Sequence, residues 1–191
     1  MIDIFLDRLN TIVPIPQVEL DKLKNISTLS SIKKGEYFLR QGDKSSSLAF
    51  ILSGLFRTTY LTENGKEFTK TFLLDNDFLI SYSALLQNRE SYFSIEALED
   101  SSIVVIDYHK WKELFKDEIS WNQLLVVVLE KVYCKKEARE REFLLHDAQT
   151  RYESFLREHP NLVKRIKQHI LASYLGITPV ALSNLKKRVK S

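Results

Sequence analysis

The sequence is poor in the residues that define several specialised protein classes. Its 191 residues include one cysteine, five glycines and four prolines. The single cysteine, Cys134, cannot form an internal disulfide, and without partner ligands it cannot hold an iron–sulfur cluster or a structural zinc. Glycine and proline are too scarce for a fibrous or disordered chain. We therefore expect a folded globular protein that carries no metal and no cofactor.

Long apolar runs are also missing. The longest nearly uncharged run, Leu79 to Gln87, is far shorter than the roughly 20 apolar residues that a membrane-spanning helix needs. Near the amino terminus, Asp3 and Asp7 stand where a secretory signal would be basic and then apolar. The sequence therefore predicts a cytoplasmic protein without a membrane partner.

Acidic residues disappear from the carboxyl-terminal part of the chain, where none follows Glu158. Residues 1–150 hold 19 Lys and Arg against 23 Asp and Glu, a net charge of −4, whereas residues 151–191 hold 9 against 2, a net charge of +7. Because DNA affinity depends first on neutralised phosphates, this segregation favours a polyanionic partner for the second segment. A solvated basic tail would show the same charge, so the charge alone does not separate the two interpretations.

Between Leu29 and Asp107 the sequence has the pattern of an antiparallel β structure. Short runs that alternate β-branched and aromatic residues are separated by turn residues, including Gly35 and Gly42. The pair Asn64-Gly65 predicts a two-residue hairpin with a type I′ turn, because both positions of that turn need positive φ. About eight short strands without long intervening helices predict an α+β protein whose residues 1–117 form an antiparallel jelly-roll barrel.

Residues 118–147 predict one long helix. Its first half carries an apolar stripe, and its second half is charged at spacings that suit an exposed helix. The stripe could pack along the barrel of the same chain or against the same helix of a second chain. Near-heptad spacing over three turns favours the dimer. The predicted dimer contacts are Trp121, Leu124, Leu125, Val128 and Val132.

Residues 148–191 predict a small all-α domain that ends in a helix-turn-helix. Gly176 marks the turn and Ala172 supplies the small residue at the helix crossing. Thr178 suits the N-cap of the second helix, and Pro179 suits its first position, where no amide hydrogen is needed. All five expected apolar positions are filled, by Leu171, Leu175, Ile177, Leu182 and Leu185.

The outward face of the second helix supplies candidate DNA contacts. Asn184 is the strongest candidate for a base contact, because an amide can pair bidentately with adenine. The other candidates near the bases are Thr178, Pro179, Val180, Ser183 and Lys187. Predicted phosphate contacts, which position a protein without carrying sequence information, are Lys167, His169, Lys186, Lys187, Arg188 and Lys190. Since one helix covers only a few base pairs, we expect a dimer on a near-palindromic site of double-stranded DNA.

The order of jelly roll, long helix and helix-turn-helix resembles the Crp/Fnr superfamily of bacterial transcription regulators. The segments KKGEYFLRQGD, FILSGLFRTTY and LASYLGITPVALSNLKK look like a branch common in Bacteroidetes-type bacteria. The resemblance implies a homodimer held by the long helix and a sensor barrel of the cyclic nucleotide-binding type. It also implies an effector that controls the recognition helices, and RNA polymerase as a partner.

Two departures from the family pattern concern the effector. Ile80-Ser81 stands where cyclic-nucleotide binders carry Gly-Glu, and Ser91-Tyr92-Phe93 replaces their Arg-Ser-Ala. A buried phosphate without that arginine would lose a charge-assisted fork, so we do not expect cAMP binding, even though Arg89 lies two residues earlier. Either the pocket takes another small molecule or the barrel is a purely structural dimer scaffold. The residues of that pocket would be Ser81, Tyr82, Arg89, Ser91 and Tyr92.

A jelly roll can also be a metal-dependent cupin enzyme, which needs histidines on its strands. All four histidines follow the predicted strands, as His109, His146, His159 and His169, so we predict no enzymatic activity. The remaining alternative is a dimeric scaffold or ligand-binding protein that does not bind DNA. Since Ser191 ends the sequence before a β-hairpin wing of the kind common in the family, we expect DNA recognition that is weaker or more dependent on DNA shape.

Overall fold

The computed structural model describes residues 1–189, so the predicted phosphate contact Lys190 lies outside the described residues. The helices are α1 (Ile2–Ile12), α2 (Gln17–Asn25), α3 (Tyr82–Gln87), α4 (Tyr108–Leu114), α5 (Ile119–Leu145), α6 (Ala148–Glu158), α7 (Gln168–Leu175) and α8 (Pro179–Val189), with a 3₁₀ turn at Leu162–Lys164. The strands are β1 (Ser27–Ile32), β2 (Tyr37–Leu39), β3 (Ser47–Ser53), β4 (Leu55–Leu61), β5 (Glu67–Leu74), β6 (Phe78–Leu79), β7 (Ser94–Ala97) and β8 (Ser101–Asp107).

The predicted α+β class and the prediction of about eight strands are confirmed, but the sheet is not a closed barrel. The strands form two four-stranded antiparallel sheets, in the orders β1-β8-β3-β6 and β2-β7-β4-β5. We call them sheet A and sheet B. The strands β2 and β6 are only three and two residues long, which limits how far hydrogen bonding can extend around the roll. The chain is therefore a two-sheet β roll flanked by helices.

The β4–β5 hairpin forms as predicted, although its turn is of a different type. Gly65 has a φ of 77°, whereas Asn64 is not among the described residues with positive φ, so a type I′ turn is wrong here. The Gly65 amide donates to the Thr62 carbonyl at 2.9 Å, and the Thr62 amide donates to the Lys66 carbonyl at 3.0 Å. The Thr62 hydroxyl also accepts from the Lys66 amide at 3.1 Å. These bonds stabilise a longer loop that needs only one left-handed residue.

The centre of sheet A is buried on both faces, which explains why β3 is apolar at almost every position. Ala49 and Ile51 point into the core between the two sheets. Leu48, Phe50 and Leu52 alternate with them and pack under α1, α2, α4 and the first turns of α5. A strand whose two faces are both covered loses the usual polar and apolar alternation.

Sheet B also carries apolar residues on its outer face, and these pack against the carboxyl-terminal helices. Leu55, Phe72 and Leu98 belong to one buried cluster with α6, α7 and α8. The layers are therefore amino-terminal helices, sheet A, sheet B and carboxyl-terminal helices. Helix α5 ends at Leu145, and Asp147 caps α6 by accepting a hydrogen bond from the Thr150 amide at 2.8 Å.

Candidate nucleic-acid interface

Helices α7 and α8 pack as the two helices of a helix-turn-helix. Leu171, Ala172, Leu175 and Leu182 are at most 1% exposed, and Ala172 is fully buried at the crossing. The remaining two apolar positions, Ile177 and Leu185, are partly buried against the same cluster. This geometry is the one that the apolar spacing predicts.

The turn between the helices is specified by four consecutive residues. Gly176 is left-handed, with a φ of 71°, and the Ile177 amide donates to the Ala172 carbonyl at 3.0 Å, which ends α7. The Thr178 hydroxyl then accepts from the Ala181 amide at 3.1 Å, and α8 begins at Pro179. Thr178 is therefore the N-cap of the recognition helix, and its hydroxyl is engaged in that cap.

The long helix α5 holds this turn in place. A Cβ atom on Gly176 would lie 2.8 Å from the Phe143 ring of α5, so the turn and α5 are in close contact. The last carbonyls of α7 are capped by arginines: Arg139 donates to the Tyr174 carbonyl, and Arg151 donates to the Leu175 carbonyl at 3.0 Å. A positive charge at the carboxyl terminus of a helix also interacts favourably with the negative end of the helix dipole.

The predicted DNA-contacting face of α8 is open to solvent. Val180 is 71% exposed, Pro179 and Asn184 are exposed, and Ser183 is half-buried. Among the predicted phosphate contacts, Lys186 is half-buried and the other described ones are exposed, namely Lys167, His169, Lys187 and Arg188. No acidic residue occurs after Glu158, so the charged side chains of α8 are all basic, which suits contact with a phosphate backbone.

Four of the five predicted effector residues form two separate pairs. Ser81 and Ser91 are each 1% exposed, and their hydroxyls are hydrogen-bonded to each other at 2.9 Å. Arg89 instead turns toward Tyr92, donating to its hydroxyl at 3.1 Å and stacking 4.4 Å from its ring centre. Tyr92 is 59% exposed. Tyr82 is half-buried, and burial raises the pKa of its phenol.

The space between the two sheets is filled by apolar side chains. Ala49, Ile51, Phe56, Leu79, Ile95, Ala97 and Ile103 are all at most 1% exposed. A cyclic phosphate placed among them would lose its hydration without gaining a charged partner. The Nε atom of Arg89 is buried and has no hydrogen-bond partner among the described residues, which makes the Arg89 side the more suitable place for an anion.

The structure corrects the predicted dimer contacts on α5. Trp121 is fully buried and Leu124 is 2% exposed, both in the core of their own protomer. The Trp121 indole donates to Glu19 Oε2 of α2 at 3.1 Å. Leu125 and Val128 pack against the same core, and of the five predicted residues only Val132 is exposed, at 55%. Four of the five residues thus attach α5 to its own roll.

A different stripe of α5 is apolar and exposed. Ile119, Val126 and Tyr133 recur every seven residues and are 67%, 52% and 66% exposed, and Leu129 lies between them at 36%. We call these four residues the outer stripe. Farther along the buried side, Lys131 and Lys135 approach Asp77 of the β5–β6 turn at 3.8 and 3.3 Å. These contacts keep the outer stripe turned away from the roll.

The residues that attach the helix-turn-helix to the roll could not be predicted from the sequence. Arg165 forms a two-fold hydrogen bond with Glu99, at 2.9 and 2.7 Å, and the Ser173 hydroxyl lies between the Thr69 amide and the Glu67 carbonyl of β5. These partners are at least 66 residues apart in the sequence. No local pattern signals such a pairing, because each residue is of an ordinary surface type.

Residues 1–189 hold neither a helix that could span a membrane nor a cluster of three metal-ligating side chains. None of the helices there is both long and apolar enough to cross a bilayer. No three His, Cys, Asp or Glu side chains of that range lie together as a metal site would require. Cys134 is exposed on α5.

A two-sheet roll that a long helix joins to a helix-turn-helix is the architecture of one class of protein. These are the transcription regulators that carry a sensor domain and a DNA-binding domain in the same chain. Residues 29–118 match the cyclic nucleotide-binding domain family. Across the chain, the fumarate and nitrate reduction regulatory protein of Vibrio cholerae serotype O1 is 27% identical over 186 residues, covering 89% of this chain and 72% of that protein. The anaerobic regulatory protein of Bacillus subtilis is 30% identical over 96 residues, covering 50% of this chain and 40% of that protein.

Solved structures have the same fold. A transcriptional regulator of the Crp/Fnr family from Eubacterium rectale superposes with a TM-score of 0.76 at 19% identity, covering 92% of this chain and 84% of that one. FixK2 from Bradyrhizobium japonicum superposes with a TM-score of 0.75 at 17% identity, covering 86% and 85%. The resemblance to the Crp/Fnr superfamily of transcription regulators that the sequence motifs predict is confirmed by these relatives and by this shared fold.

Proposed function

We propose that the protein is a cytoplasmic homodimer that binds a near-palindromic DNA site and regulates transcription without binding cAMP. The observation that carries the proposal is the capped helix-turn-helix whose outward face, with Val180 and Asn184, is exposed and whose second helix carries only basic charged side chains. A module that served only for packing would not need a solvent-exposed face of this charge. RNA polymerase is the expected protein partner on the promoter, and we assign the chain no catalytic activity.

The outer stripe of α5 is the proposed dimer interface. Exposed apolar residues at seven-residue spacing suit a helix that packs against its own copy around a two-fold axis. Such a dimer presents two recognition helices, which is what a near-palindromic site requires. The stripe belongs to the first half of α5, and the charged second half, which includes Glu137 and Arg141, continues toward the helix-turn-helix.

Replacing Lys167 with glutamine should weaken DNA binding equally for all sequences. Lys167 precedes the first turn of α7 and is exposed, so it suits a phosphate contact. Removing one such contact lowers the slope of log K against log salt by about 1 per recognition unit. Fluorescence anisotropy with a labelled duplex across a salt series measures the slope. Lys110→Gln on α4, equally exposed but far from α8, serves as the control, and identical slopes for both variants would contradict the assignment.

Calorimetric titration with cAMP and with cGMP should give no saturable heat. The Ser81–Ser91 pair and the filled space between the sheets leave no charged partner for a cyclic phosphate. The buried, unpaired Nε of Arg89 favours a second candidate, a small anionic effector bound beside Arg89 and Tyr92. Micromolar binding of either nucleotide that disappears in Arg89→Gln would overturn the cAMP prediction and support that second candidate.

A further inference from the structure

The helix-turn-helix is fastened to the roll of its own chain at three places. The first is the edge of sheet B, where β5 is an outermost strand. The Thr69 amide donates to the Ser173 hydroxyl at 2.9 Å, and that hydroxyl donates to the Glu67 carbonyl at 3.2 Å. Ser173 thus satisfies two backbone groups of an edge strand, as a neighbouring strand would.

The second place is the turn between β7 and β8. The Arg165 guanidinium lies just before α7 and binds both carboxylate oxygens of Glu99, at 2.9 and 2.7 Å, and it also reaches the Gly54 carbonyl at 3.3 Å. The hydrogen bond from Arg165 lowers the pKa of the Glu99 carboxyl. Because the planar guanidinium binds both carboxylate oxygens, it fixes the orientation of the segment before α7 relative to the β7–β8 turn as well as the distance between them.

The third place is a cluster of aromatic rings between β5 and the carboxyl-terminal helices. Phe72 of β5 is 8% exposed and lies 5.0 Å from the Tyr174 ring centre and 6.1 Å from that of Phe155. Arg139 of α5 stacks 3.7 Å from the Tyr174 ring centre. Tyr174 is therefore in contact with both the roll and the long helix.

None of these contacts uses the outward face of α8. They involve α7 and the segment before it, while Val180 and Asn184 stay exposed. The docked arrangement therefore leaves the DNA-contacting face accessible and fixes its direction relative to α5. Because the proposed two-fold axis runs along the outer stripe of α5, the same contacts fix how far apart two recognition helices lie in the dimer.

We infer that Glu99, Arg165 and Ser173 are positioning residues that set the half-site spacing this regulator accepts. The inference rests on the proposed function, since it needs a DNA-binding dimer. Half-sites read by paired recognition helices lie about one helical turn apart, roughly 34–36 Å. A rigidly docked unit matches one spacing at little entropic cost. A helix-turn-helix released from its roll would bind DNA with that half-site spacing more weakly. It would lose less affinity on DNA whose half-sites are slightly closer together or farther apart.

The test compares the double variant Glu99→Gln/Ser173→Ala with the wild-type protein. Both positions lie on the docking surface and outside the face of α8, so the DNA contacts themselves are unchanged. The matched control is Glu63→Gln/Ser83→Ala, which makes the same chemical changes at the exposed tip of the β4–β5 hairpin and on the exposed side of α3. Thermal unfolding and light scattering first verify that all three proteins are folded and in the same oligomeric state.

Affinity is then measured for duplexes that carry the preferred half-sites with zero, one or two extra base pairs between them. We expect the double variant to bind the preferred spacing about tenfold more weakly and to lose much less affinity per inserted base pair than the wild type and the control. Hydrogen exchange of the Thr69 amide gives a readout without DNA, and it should accelerate in the double variant only.

The possible results separate the two claims. Equal spacing dependence in all three proteins, or tighter binding by the double variant, would overturn the inference while leaving the proposed function intact. A wild-type protein that protects the Thr69 amide yet binds no duplex would overturn the proposed function and the inference together.

Discussion

Val126→Asp is expected to convert the dimer into a monomer and to weaken operator binding by a factor of at least about 100. Val126 lies in the middle of the outer stripe and is 52% exposed in the protomer, so an aspartate there does not disturb the core. Near a two-fold axis it would face its own copy or the apolar residues Leu129 and Tyr133. Burying that carboxylate in the interface without a partner costs several kcal/mol, which opposes association.

The neighbouring residue offers a close control. Val127 is 40% exposed on the same helix, but one residue along an α-helix lies about 100° around the axis. Val127→Asp introduces the same charge next to the outer stripe without entering it, so the dimer should persist. Sedimentation equilibrium and anisotropy measure the two properties. A dimeric Val126→Asp, or a wild-type protein that is already monomeric, would contradict the proposed interface.

Asn184→Ala is expected to remove the preference for one base pair in each half-site. The exposed amide of Asn184 lies on the outward face of α8, where a bidentate contact with adenine contributes about 1–3 kcal/mol of discrimination. Affinity should therefore fall roughly fivefold to 150-fold for each half-site. The substitution removes no charge, so the salt slope should stay as in the wild type.

The control for this change is Asn161→Ala, which removes an exposed amide at the start of the 3₁₀ turn, away from the outward face of α8. It should leave both affinity and base preference unchanged. Measuring all single-base substitutions of the preferred half-site against both variants gives the preference at each position. A uniform loss across all positions in Asn184→Ala would assign Asn184 a structural role instead of a base contact.

The parts of the fold that depend on local sequence could be predicted. The helix-turn-helix is specified within 22 residues, because Gly176, Thr178 and Pro179 each serve a backbone position that few other residues can fill. The strands were visible for a similar reason, since turn residues separate them at short intervals. Such signals act over one or two turns of chain and do not require knowledge of the rest of the molecule.

The periodicity of α5 does not show which of its faces packs against the roll. In its first half this helix is apolar on two sides, one that contains Trp121 and Leu124 and another that contains Val126 and Tyr133. Either side fits a three-four spacing. What decides between them is the contact of Trp121 with Glu19, a residue 102 positions away, which the spacing of apolar residues does not encode.

The contact between the helix-turn-helix and sheet B could not be predicted from the sequence for a related reason. Leu55 and Phe72 look like ordinary interior residues of a roll, yet they lie on the outer face of sheet B and bury against α6 and α7. The prediction of a type I′ turn is wrong for a local reason. The Thr62 hydroxyl forms hydrogen bonds with the Lys66 backbone, and the Asn64-Gly65 pair alone does not reveal them.

Selection from a pool of random duplexes across a salt series tests the claim that this chain binds a specific DNA site as a dimer. We expect an enriched near-palindromic sequence, bound by two chains, with an affinity that falls steeply as salt rises. A dimer that enriches no sequence and shows no salt slope would contradict the claim and leave a scaffold without DNA binding.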